Sequence, residues 1–134
     1  MTAPPPQPAE VYYPTLSDVV VIARKVGGRV RDAGLIESAV ARPQTTLFGE
    51  EAYPDLWTKA AALLHSLVNN HPFVDGNKRV GWIVAVTFLY ANGTVTPAQI
   101  AHLDQDAAYD VVIAVAESRL TEVGPIADAL RKLF

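Results

Sequence analysis

The sequence predicts an all-α fold, a compact bundle of about six helices. Three observations carry this. Apolar residues recur at helical spacing through most of the chain, the helical stretches are bracketed by cap and stop residues, and no segment alternates long enough to build a sheet. At 134 residues the chain suits one domain, and folding at this size buries roughly two-thirds of the unfolded surface. Half the residues are hydrophobic and 19% are charged, the composition of a packed domain and not of a disordered chain. With no internal repeat, residues 11–134 read as a single domain behind a flexible, proline-rich lead-in at 1–10.

The elements follow in order. "TLSDVVVIARKVGG" opens with Thr15 as N-cap and Asp18 three residues on, and stops at Gly27-Gly28. A second helix follows Asp32 ("AGLIESAVAR") and ends against Pro43. "QTTLFGEEAYP" mixes residues of extended preference with Gly49 and Pro54, and reads as a loop or short flap hairpin before the helix at 55–70. From Asp55, "DLWTKAAALLHSLVNN" places Leu56, Ala60, Leu63, Leu64, Leu67 and Val68 on one broad face. The next helix, Asn77 to Ala91, is apolar almost all round, which marks it as the buried central helix; Asn92-Gly93 ends it. Thr96-Pro97 opens a short helix. "DAAYDVVIAVAESRL" and "TEVGPIADALRKLF" supply the last two.

Composition also excludes function classes. There are no cysteines, so neither a disulfide framework nor a thiolate metal site is available. "MTAPPPQPAE" lacks the basic and apolar regions of a signal peptide. The longest apolar run, Val80 to Ala91, falls short of the ~20 residues a membrane helix needs. A net charge of −3 without a basic block disfavours direct nucleic-acid binding, which calls for concentrated Lys and Arg. A soluble cytoplasmic protein with no membrane contact is expected.

One loop stands apart. "NNHPFVDGNKRV", Asn69 to Val80, crowds polar and helix-breaking residues between two apolar helices, and its last residues form the first turn of the second helix. A helix N-terminus presents unpaired N–H groups and a partial positive charge, and so attracts anions. Gly76 lets backbone approach a ligand, while Asn77, Lys78 and Arg79 add donors that suit phosphate. Asp75 beside phosphates is placed to hold Mg²⁺. His71, at the other end of the loop, is placed to take a proton from an attacking hydroxyl. Base, metal ligand and phosphate cradle together describe a phosphate-transfer site.

"HPFVDGNKR" resembles the Fic motif, H-P-F-x-[D/E]-G-N-G-R with a second Arg three residues on. It is most similar to the death-on-curing (Doc) branch, which has Lys where nucleotidylating members have the Gly after Asn. "VRDAGLIESAVARPQ", "YPDLWTKAAALLHSLVNNHPFVDGNKR" and "TFLYANG" extend the resemblance over most of residues 29–93. It implies a Fic-type helical bundle in which His71 is the general base, Asp75 the Mg²⁺ ligand, and Gly76, Asn77, Lys78 and Arg79 the ATP-phosphate cradle, with Lys78 and Arg79 also catalytic. Two positions depart from the nucleotidylating pattern: Lys78 in place of Gly, and Trp82 in place of the second Arg. The resemblance then implies a turned-round nucleotide and transfer of the γ-phosphate to a threonine of elongation factor Tu, which blocks translation. It further implies a toxin of a toxin–antitoxin pair, neutralised by the C-terminal segment of a Phd-type antitoxin. "TTLFGEEAYP" is the candidate flap beside which a target segment lies. AMP transfer and a non-catalytic antitoxin-binding module are the alternatives.

Blander readings stand beside these. A lone His is more often a cap or a core residue than a base, Asp75 suits a plain N-cap, and Lys78 and Arg79 could be surface charges. Cations in a first helical turn oppose the helix dipole, however, which favours a bound anion. His65 reads as a half-buried helix residue, His102 as solvated, and Trp57 and Trp82 as core or groove lining. Arg24, Lys25, Arg29 and Arg31 read as a solvated basic patch, and Glu37 has no assignable orientation. "SRLTEV", Ser118 to Val123, resembles the Fic inhibitory-helix pattern only in part and reads as accidental.

Overall fold

The computed structural model describes residues 10–134, so all of the proline-rich lead-in except Glu10 lies outside the described residues. Thr15 caps α1 (Leu16–Lys25) reciprocally: its hydroxyl accepts from the Asp18 N–H at 3.1 Å, and its own N–H donates to the Asp18 carboxylate at 2.9 Å. The Tyr12 hydroxyl donates to the same carboxylate at 2.6 Å. That bond first, and the Thr15 N–H second, hold the Asp18 carboxyl below its ordinary pKa. The helix stops at Val26, where the Gly28 N–H reaches back to the Ala23 carbonyl at 2.8 Å.

Asp32 caps α2 (Ala33–Ala41) through the Leu35 N–H, and a 3₁₀ turn at Arg42–Gln44 carries the chain past Pro43. The mixed segment beyond it forms a hairpin. Strands β1 (Thr46–Leu47) and β2 (Glu50–Glu51) pair antiparallel, Thr46 opposite Glu51, with Phe48 and Gly49 at the tip. Asp55 caps α3 (Leu56–Asn69), and α4 spans Asn77–Ala91. Thr96, with Pro97 in the first turn, opens α5 (Pro97–Ala101); Asp104 caps α6 (Gln105–Ala116), and α7 spans Val123–Leu133. The described residues thus make seven helices and one small hairpin, an all-α bundle with a short hairpin before α3 as expected.

The centre of the bundle is α3, which corrects the expectation that α4 would occupy it. Every residue from Lys59 to Leu64 is buried, as are Ser66 to Val68, and α3 packs against α2, α4, α6 and α7. The reason is side-chain size. Ala60, Ala61 and Ala62 keep α3 thin, so neighbours close in on several sides of it. Helix α4 leaves Thr87 and Tyr90 exposed on an outward face. The two helices approach closely at Gly81, where a Cβ would lie 3.0 Å from Val68 Cγ2.

One charged residue sits inside this core. Lys59 is 1% exposed, and its Nζ donates to the Pro43 carbonyl at 3.2 Å and to Glu51 Oε1 at 3.0 Å. The hairpin is thereby tied to the central helix. Among the described residues, no helix is long and apolar enough to cross a membrane.

Candidate active site

Residues 70–76 join the end of α3 to the start of α4, and the segment 29–32 runs alongside them. The Arg31 and Asp32 N–H groups both donate to the Pro72 carbonyl, at 2.8 and 3.0 Å, and the Val74 N–H donates to the Arg29 carbonyl at 2.8 Å. Phe73 is 1% exposed and plugs the loop into the core. The Asn77 carboxamide completes the brace, accepting from the Phe73 N–H and donating to the Phe73 carbonyl, both at 3.0 Å. The side chain read as a phosphate donor is therefore engaged with the loop's own backbone.

Gly76 has φ +80 and is the N-cap of α4, with no side chain capping the helix. Asp75 is thus not the cap that the plain reading of the sequence makes it. A Cβ on Gly76 would lie 3.4 Å from Gly28 Cα, so the loop is seated against the end of α1. With the N-terminal amides of α4 uncapped by any side chain, the first turn keeps its capacity for an anion.

These elements form one wall of a groove of about 990 Å³. His71, Asp75, Gly76, Asn77, Lys78 and Arg79 all line it, together with Trp82 one turn further along α4. The opposite wall is α6, with Asp106, Tyr109, Ile113 and Glu117. His71, Asp75, Lys78 and Arg79 are exposed there. Arg29 Nε lies 3.9 Å from Asp75 Oδ1, an exposed pair that contributes little to stability. Arg79 Nη1 donates to the Val26 carbonyl at the end of α1, which holds the guanidinium at the rim. Trp82 is partly buried and stacks on Phe134, ring centroids 6.5 Å apart and 10° between planes. Trp57 packs against the same Phe134 at 6.2 Å.

Other singled-out residues fall outside the groove. Arg42 Nη1 lies 2.7 Å from His65 Nδ1 and also donates to Ser66 Oγ at 3.0 Å. Burial first, and the Arg42 charge second, push the His65 pKa below its ordinary value, against a smaller opposing pull from Glu122. His102 is exposed, with Nδ1 2.8 Å from the Ala98 carbonyl. Glu37 is exposed on α2, away from the groove lining. "SRLTEV" falls mostly in the connection between α6 and α7 and does not form a helix of its own.

Sequence reasoning missed three things. Arg31, read as part of a solvated patch, donates through Nε to the His71 carbonyl at 2.9 Å, and its Nη2 donates to the same oxygen. The α6 wall carries no motif. Lys59 did leave a signal: Ala62 and Leu63 lie three and four residues on, so it falls on the apolar stripe of α3.

The profile of the Fic/DOC family matches residues 13–89, from ahead of α1 to near the end of α4. The chain belongs to the Fic/DOC family. It is 54% identical over 88 residues to Toxin Doc of Mycolicibacterium smegmatis, a match that covers 66% of this chain and 65% of that protein. It is also 48% identical over 42 residues to a Fido domain-containing protein of Dictyostelium discoideum, covering 31% of this chain and 29% of that one. The chain therefore spans less than two-thirds of the length of either curated relative. The family match takes in the motif loop, the hairpin and the segment 29–32, whereas the α6 wall lies beyond it.

A divalent ion finds one carboxylate on the motif loop. Among the described residues, no group of three His, Cys, Asp or Glu side chains could hold a metal. An exposed single carboxylate such as Asp75 fits Mg²⁺, which binds through one or two carboxylates and takes its remaining ligands from phosphate oxygens and water.

Proposed function

We propose that this chain is a protein kinase that transfers the γ-phosphoryl group of ATP to a threonine of elongation factor Tu. In this reading it is the cytoplasmic toxin of a toxin–antitoxin pair, and the C-terminal segment of a Phd-type antitoxin holds it in check. The toxin assignment is supported by the 54% identity to a protein named Toxin Doc. The observation that carries the choice of reaction is the pairing of Lys78 and Trp82 on one wall of the groove. Lys78 takes up, at the mouth of the α4 N-terminus, space and charge that a glycine would leave to the nucleotide. Trp82, stacked on Phe134, offers no cation to the far end of a triphosphate. Both features favour a nucleotide whose γ-phosphate lies nearest His71.

In this reading His71 accepts the proton of the target hydroxyl as its oxygen attacks the γ-phosphorus. The bond to the bridging oxygen breaks, and ADP leaves. Lys78, Arg79 and the first-turn amides of α4 stabilise the charge that develops on the transferred group. Asp75 would hold Mg²⁺, whose contribution is to neutralise phosphate charge. Asn77 and Phe73 keep the cradle rigid from behind.

The deciding experiment incubates the protein with elongation factor Tu and ATP labelled at either the α- or the γ-phosphate. Label from the γ-phosphate on a threonine is the expected result. Label from the α-phosphate would replace this reading with nucleotidyl transfer, and the absence of both would favour a binding module. His71→Ala is expected to lower transfer by ~10²–10⁴-fold while leaving the fold intact.

A further inference from the structure

We infer that Arg31 is a positioning residue for His71, holding its backbone in the conformation that turns the imidazole into the groove. The inference rests on the reading of His71 as the base, and it adds a residue that neither the motif nor the groove lining includes.

His71 has φ +52, a left-handed conformation uncommon for a non-glycine residue. It follows directly on the C-cap of α3, where the last carbonyls of the helix have lost their intrahelical partners. Arg31 meets the carbonyl of the C-cap, Asn70, and that of His71 just beyond it. Its Nε and Nη2 both donate to the His71 carbonyl, and Nη2 also lies 3.5 Å from the Asn70 carbonyl. Among the described residues, the guanidinium is the one hydrogen-bond partner of the His71 carbonyl. The neighbouring backbone bonds grip Pro72 and Val74, which lie beyond His71. None of them acts on the His71 carbonyl itself, which Arg31 alone holds among the described residues.

The geometry also explains why the residue is an arginine. Two donors on one edge of a planar fork fix the direction of a carbonyl, and the positive charge complements the negative end of α3. A lysine ammonium is a point donor that holds position less than orientation. Arg31 acts from behind the loop, so it shapes the base without touching a ligand. The phosphate cradle is held separately, by the seat of Gly76 on Gly28 and by the Asn77–Phe73 brace. Loss of Arg31 is therefore expected to lower kcat and to leave the KM for ATP nearly unchanged.

The protein has three histidines, so side-chain NMR of histidine-labelled protein resolves His71 from His65 and His102. In Arg31→Gln the His71 resonance is expected to broaden or double, while the other two stay in place. In the transfer assay kcat falls about 10- to 100-fold, and the KM for ATP stays within about two-fold. Arg31→Lys, which keeps the charge and loses the fork, should show the same disturbance in weaker form. It decides the matter alone if Arg31→Gln does not fold. A His71 resonance identical to that of the parent protein overturns the inference, whatever happens to kcat. The NMR measurement needs no substrate. A disturbed His71 in Arg31→Gln, beside a parent protein that itself transfers nothing, would sink the kinase reading and leave the positioning role standing.

Discussion

Removing Glu51 from the hairpin is expected to destabilise the protein more than replacing Lys59, although Lys59 is the buried member of the pair. The Lys59 side chain is 2% exposed and that of Glu51 52% exposed, with Nζ and Oε1 3.0 Å apart. In Glu51→Ala the ammonium stays inside the core. Its remaining company is the Pro43 carbonyl at 3.2 Å and the Tyr13 ring, whose centroid lies 5.7 Å away. Stripping one partner from a fully buried ion pair costs about 3–5 kcal/mol. Here one neutral acceptor survives, so about 2–3 kcal/mol is the appropriate figure. Lys59→Met instead keeps the unbranched stem in place and removes the charge, while Glu51 returns to the water it already meets. The hydrogen bonds that disappear are offset by the ammonium desolvation that disappears with them, for a net loss of about 0–1 kcal/mol.

The gap of about 2 kcal/mol corresponds to roughly 6–10 °C in Tm, since about 1 kcal/mol shifts a chain of this size by some 3–5 °C. Differential scanning calorimetry of the two variants measures it directly. Limited proteolysis at the Phe48-Gly49 tip reports whether the hairpin has come loose from α3. The reasoning fails if Lys59→Met melts as low as Glu51→Ala, because the buried cation would then be a source of stability in its own right.

Gly76→Ala places a Cβ on a residue at φ +80, at an expected stability loss of about 1–2 kcal/mol. It should also weaken nucleotide binding by displacing the α4 N-terminus from its seat, as isothermal titration with ATP would show. His65 bears on pH dependence. Its pKa is lowered in the folded protein, so the unfolded chain binds the extra proton first, and stability present above pH ~6.5 declines as the pH falls through that value. His65→Asn, which keeps an acceptor for Arg42, should flatten the fall in urea midpoint between about pH 7.5 and 5.5 relative to the parent protein.

Four helix starts were legible because their caps are local chemistry, whereas α6 ends at Ala116, short of the Leu120 expected, and α7 begins at Val123 with no side-chain cap to mark it. Thr15, Asp32, Asp55 and Thr96 each bond an amide two or three residues into their helices, and that spacing is written in the sequence. The motif residues lie together for the same reason, since His71 to Arg79 are consecutive, the last three in the first turn of α4. Choosing the central helix was not a local question. It depends on how many neighbours can approach, which the thinness of Ala60–Ala62 decides and hydrophobicity alone does not. Arg31 was invisible because its partner is 40 residues away and is a backbone carbonyl, which no residue type advertises. The α6 wall was hidden for a related reason: Tyr109 and Glu117 face the motif only through the packing of α6 against α3, α4 and α7.

The crowding of residue types in the motif loop has a physical explanation in the directions those residues face. Phe73 points into the core, Pro72 offers its carbonyl to the segment 29–32, and the Asn77 carboxamide turns back onto Phe73. His71, Asp75, Lys78 and Arg79 are exposed at the groove. A seven-residue connection between two packed helices has too few backbone hydrogen bonds to hold a single shape unaided. The buried or backward-facing residues supply that shape, and the exposed ones can then be ionisable without any charge being buried. Glycine at position 76 joins the two sets, because it turns the chain from the brace into the helix while leaving the first amides open. Substitutions in the loop should therefore separate by direction. Changes at Phe73 or Asn77 would be read first in stability, and changes at His71, Asp75 or Lys78 first in activity. Arg79 belongs to both sets, since its guanidinium lines the groove while bonded to the Val26 carbonyl. Arg79→Lys is accordingly expected to loosen the contact between α1 and α4 as well as to slow transfer, a double effect that thermal melts and the labelled-ATP assay would register independently.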